Sequence, residues 1–69
     1  MEYRKALATI LREQGVSQAD LARRIDKSRS YVSQLMSGRV NEPSLSIAFK
    51  IADALGVTVQ DFIDLMKMD

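Results

Sequence analysis

The stretch Ser17-Gln18-Ala19-Asp20-Leu21-Ala22-Arg23-Arg24-Ile25-Asp26-Lys27-Ser28-Arg29-Ser30-Tyr31-Val32-Ser33-Gln34-Leu35-Met36-Ser37-Gly38 holds two short helical patterns with a tight break between them. Ser17 is placed as an N-cap, where a hydroxyl accepts from the free N–H groups of the first turn. Asp20 has the spacing of a capping-box partner, and Val16 with Leu21 that of a hydrophobic staple. Leu21, Ala22 and Ile25 form an inward stripe that stops near Asp26-Lys27. Ser28 is a second N-cap. Beyond it only Val32 and Leu35, with Tyr31 or Met36 beside them, can face a core. Arg29, Ser30, Ser33, Gln34 and Ser37 share the opposite face, and Gly38 ends the pattern.

Apolar residues keep helical spacing on both sides of this stretch, and nothing alternates at period two. Upstream, a helix is predicted over Tyr3 to Gln14, with Tyr3, Ala6, Leu7, Ile10 and Leu11 inward. Gly15 follows where a left-handed cap belongs. Downstream, a loop of Arg39-Val40-Asn41-Glu42-Pro43 leads to Ser44, the cap of a helix expected to bury Leu45, Ala48, Ile51, Ala52 and Leu55 and to end at Gly56. Thr58 with Asp61 forms a capping box, and Val57 with Phe62 a staple, for a fifth helix carrying Val59, Phe62, Ile63 and Met66. The expected fold is all-α: a compact five-helix bundle making one domain over residues 1–69, without repeats or linkers.

The totals restrict what such a domain can do. A chain of 69 residues buries only about 60% of its unfolded surface, so it supports one small core and no deep cleft. There is no Cys and no His. That removes disulfides, thiolate metal sites, and the commonest general base and metal ligand. With no Gly-rich phosphate loop and no convergent carboxylate pair either, an enzyme is not expected, nor a metal, a cofactor or a small-molecule ligand. Asp61 and Asp64 read as surface and cap charges. No apolar run approaches the roughly 20 residues of a membrane span, and Met1-Glu2-Tyr3-Arg4-Lys5 lacks a signal-peptide core, so the expected compartment is the cytoplasm. Net charge is +1, but residues 1–39 carry eight Lys/Arg against four Asp/Glu, and residues 40–69 two against five. An anion-binding first half is the reading that asymmetry favours.

Two short helices joined by about three residues have the layout of a helix-turn-helix, whose second helix can enter the major groove of DNA. Arg29, Ser30, Ser33 and Gln34 lie on one face near the N-terminal end of that helix. Arg can pair with guanine O6/N7 and Gln with adenine N6/N7, while Ser lets the backbone approach. No Asp or Glu lies in the helix to repel phosphate. Ser17 and Gln18 open one helix and Ser28 the next, where free N–H groups favour an anion. Arg39 and Asn41 are placed to reach flanking backbone, and Tyr31 reads as a packing residue or a sugar-phosphate contact. Arg23 and Arg24 read as a solvated face with a steering role open to them.

At these residues the chain resembles the Cro/C1-type helix-turn-helix family of phage and bacterial repressors. The likeness is carried by Ser17 to Ala22, Ser28 to Leu35, Gly38, Pro43-Ser44-Leu45 and Ala52 to Val57, and covers roughly residues 4–66. The resemblance implies a lambda-repressor-like five-helix bundle that binds a near-palindromic operator as a homodimer. It places Gln18 at the phosphate-binding Gln, Arg29, Ser30 and Gln34 at base-reading positions, and Ser28 and Ser33 at less constant contact positions. Asp26 stands where the family usually has Gly, Lys27 where it has an apolar residue, and Met36 where Glu is frequent. The loop before Pro43 is one residue longer than usual.

The last helix is apolar on more than one face. Phe62, Ile63 and Met66 are therefore candidates for a dimer interface, against the alternative of a frayed tail. The leading expectation is a dimeric repressor of double-stranded DNA. The competing one is a protein-interaction or antitoxin-type module that uses the apolar last helix.

Overall fold

The computed structural model describes residues 1–68. Among them lie five helices: α1 (Tyr3–Gln14), α2 (Gln18–Arg24), α3 (Arg29–Ser37), α4 (Leu45–Ala54) and α5 (Val59–Met66). No strand accompanies them among the described residues. The bundle measures 29 × 25 × 22 Å.

Caps decide where each helix starts. The hydroxyls of Ser17, Ser28, Ser44 and Thr58 accept from the backbone N–H three residues on. At Thr58 the box closes both ways, since the Asp61 carboxylate accepts from the Thr58 N–H at 2.9 Å. At Ser17 it does not, contrary to the sequence pattern. The Asp20 carboxylate turns along the helix to pair with Arg23, because a cation one turn away competes with the N-cap amide. The ends of α1 to α4 also share one form. The backbone turns left-handed at Gly15, Asp26, Gly38 and Gly56, and two returning N–H groups satisfy the last carbonyls.

The core is built from Leu7, Leu21, Ile25, Val32, Leu35 and Ile51, with Tyr3, Leu11, Leu55 and Phe62 around them. α4 departs from its sequence pattern. Leu45, expected inside, is 70% exposed, and Ile47 is buried instead. Leu45 does share a face with Ala52, as helical spacing requires, but it is the first helical residue, and no neighbour covers that end. Phe49, which the pattern left unplaced, is also exposed. Two polar clamps hold the far end of α4. Gln14 donates to the Leu55 carbonyl at 2.7 Å and Arg24 to the Ala54 carbonyl at 3.2 Å, a cation at the negative end of a helix.

α1 and α5 close the bundle through one aromatic pair. The Tyr3 and Phe62 rings stack at 4.9 Å and 8°. Phe62 is thereby 2% exposed, so it is a core residue and not the interface residue the sequence suggested. The Tyr3 hydroxyl is buried with no hydrogen-bond partner among the described residues, and that burial pushes its pKa well up. A buried unpaired hydroxyl costs about 1–3 kcal/mol. Tyr3→Phe keeps the stacked ring and removes that cost, so urea unfolding should show it about 1 kcal/mol more stable. The raised pKa fixes a sign as well. The folded state keeps its proton where the unfolded state loses it, so stability is full below the ordinary Tyr value of about 10 and falls as pH rises above it. Tyr3→Phe should flatten that alkaline decline above about pH 10.

Candidate nucleic-acid interface

Val32 and Leu35 are buried and anchor α3. Tyr31 and Met36 flank them, half-buried against the core. Met36, which stands where a polar contact to the next loop is frequent, thus adds to the packing instead. This leaves Arg29, Ser30, Ser33, Gln34 and Ser37 exposed along one face, the face the sequence assigned. α2 lies beside the first half of α3. Gln18, from its first helical residue, joins Arg29, Ser30 and Ser33 in lining one shallow depression. Gln34 shares the exposed face without lining that depression.

The angle between the two helices rests on the turn at Ile25-Asp26-Lys27. Asp26 has φ +57°, a conformation Asp reaches more readily than most residues. Its N–H donates to the Arg23 carbonyl at 3.3 Å, and the Lys27 N–H to the Ala22 carbonyl at 2.9 Å. The turn therefore forms without the glycine usual there.

Ser17 and Ser28 hold backbone amides with their hydroxyl oxygens, at 3.1 Å each. Accepting through oxygen leaves each hydroxyl proton free to donate to an anion. Arg39 and Asn41 are exposed on the loop after α3. That loop is tied down at its start: the Arg39 and Val40 N–H groups both donate to the Gln34 carbonyl, at 3.1 and 3.4 Å, and Val40 packs on the core.

Two cations beside α3 gained no role from the sequence. Arg4 lies across the C-terminal end of α3, with Nε 3.3 Å from where a Cβ on Gly38 would sit. The Glu2 carboxylate holds it at 3.0 Å, and hydrogen bonding to Arg4 in turn lowers the Glu2 pKa. Lys27 lies with Nζ 5.7 Å from the centroid of the Tyr31 ring. Neither placement could be read from spacing, because both depend on how the turn and α1 pack.

A family model described as helix-turn-helix matches residues 7–62. The chain belongs to the Cro/C1-type helix-turn-helix family. The matched span takes in all of α2, α3 and α4. A search of curated proteins found no match. Membership makes this helix-turn-helix protein a DNA-binding transcription regulator, with double-stranded DNA as its partner. No described helix is long and apolar enough to cross a membrane.

Gly38 has φ +87°, and Arg4 crowds the space a side chain would need. Gly15 is equally left-handed at φ +67° but faces open space. Left-handed backbone costs an L-residue about 1–2 kcal/mol. Gly15→Ala should lose about that much in urea unfolding, and Gly38→Ala measurably more, because Arg4 must also move.

Proposed function

We propose that this protein is a sequence-specific repressor that binds a near-palindromic operator as a homodimer, with α3 in the major groove. The observation that carries the reading is the joining of Gln18 to Arg29, Ser30 and Ser33 in one depression. It sets a phosphate-seeking amide beside an exposed base-reading face, with Gln34 further along. Arg29, Ser30, Ser33 and Gln34 read bases. Ser17, Gln18, Ser28, Tyr31, Arg39 and Asn41 hold the backbone. Repression needs only that the site be occupied, and this face is suited to occupancy.

Selection of duplexes from a random pool, followed by titration at several salt concentrations, tests this directly. Arg29→Ala should cost about 1–3 kcal/mol and relax preference at one base pair, whereas Gln18→Ala should weaken all sequences about equally. Binding with no sequence preference would sink the proposal.

The dimer surface we assign is the apolar groove between the start of α4 and α5. Leu45, Ala48, Val59, Ile63 and Met66 line it, and Leu45 and Ile63 are exposed. A dimer formed there must hold its two α3 helices about 34 Å apart to reach successive major grooves. Sedimentation should show a dimer that Ile63→Glu converts to monomer, with operator affinity falling in step. A monomeric native protein that ignores DNA until another protein is added would instead favour an interaction module.

A further inference from the structure

Lys27 and Tyr31 form a unit that the base-reading face does not use. Successive residues turn about 100° around a helix, so Tyr31 stands ~200° from Arg29. Arg29 and Ser33 border the flank where Gln18 lies; Tyr31 borders the other. The Lys27 ammonium is 5.7 Å from the Tyr31 ring centroid, and it makes no ion pair among the described residues. Its backbone is fixed by the bond to the Ala22 carbonyl, and Ser28 next to it caps α3 through the Tyr31 N–H. An exposed ammonium thus lies within cation–π reach of a half-buried ring at the opening of α3.

A helix in the major groove lies between two phosphate backbones, one along each flank. We propose that Lys27, positioned by the Tyr31 ring, grips a phosphate on the DNA strand opposite the one Gln18 holds. The recognition helix is then clamped from both sides. This rests on the duplex-DNA reading above.

The test compares native protein, Lys27→Met and Lys27→Arg on the selected operator across a salt series. Methionine keeps an apolar stem over the ring and removes the charge, and Lys27 is exposed, so the fold should hold. Lys27→Met should lose affinity about five- to tenfold per protomer near 0.1 M salt, equally for every sequence, and reduce the salt slope of the dimer by about 2. Lys27→Arg should stay near native. Duplexes with one neutral methylphosphonate at each position in turn should show a phosphate whose neutralisation weakens the native protein but not Lys27→Met. Within one half-site it should lie on the strand opposite the one found in the same way with Gln18→Ala. An unchanged salt slope in Lys27→Met, or both phosphates on the same strand of a half-site, overturns the clamp while leaving DNA binding intact. Failure of the native protein to bind any duplex overturns the reading beneath it.

Discussion

Helices α1 to α4 all end on left-handed backbone, and the rest of the structure depends on those four turns. At each, the N–H of the left-handed residue and that of the next one reach back to the last carbonyls: Gly15 and Val16, Asp26 and Lys27, Gly38 and Arg39, Gly56 and Val57. A helix of seven residues such as α2 has no stability of its own in water. It persists because the chain leaves it in a direction that brings the next apolar stripe onto the same core. The direction is a backbone property, set by one dihedral at each turn. At Asp26 a side chain is carried into that conformation, and Ser28 follows at once to start α3.

These turns and the caps opposite them were legible in the sequence. Ser17, Ser28, Ser44 and Thr58 announce helix starts because a short hydroxyl has few better uses before an apolar stripe. The exposed face of α3 was legible for a related reason: two large apolar anchors, Val32 and Leu35, leave little choice about which side turns outward. Legibility fails wherever the answer depends on a neighbour. Spacing gives the direction of Leu45 but not whether another helix reaches it. The same pattern that marks Phe62 as apolar cannot say that Tyr3 lies in wait across the bundle. Asp20 chooses between an amide and Arg23 by a local competition. The position of Lys27 over Tyr31 exists only once the turn has formed.

Charge follows the same division. Arg4, Lys27, Arg29 and Arg39 lie on or beside α3 with Glu2, Asp26 and Glu42 among them, while Asp53, Asp61 and Asp64 belong to α4 and α5 with Lys50. The polarity is a field rather than a set of pairs, since among the described residues the ion pairs are local ones within α1 and α2 and their flanks.

The Tyr3–Phe62 stack joins residues 59 positions apart in a bundle whose helices run from seven to twelve residues. No helix here can wait, formed, for the others to arrive. The face of α3 proposed to read DNA therefore rests on a core that the first and last helices share. Binding-competent and folded populations become the same population, and a ligand that binds one holds the other in place by mass action. A bound duplex should raise its melting temperature by an amount that keeps growing with the logarithm of free DNA after the site is full, from a surface that touches neither Tyr3 nor Phe62.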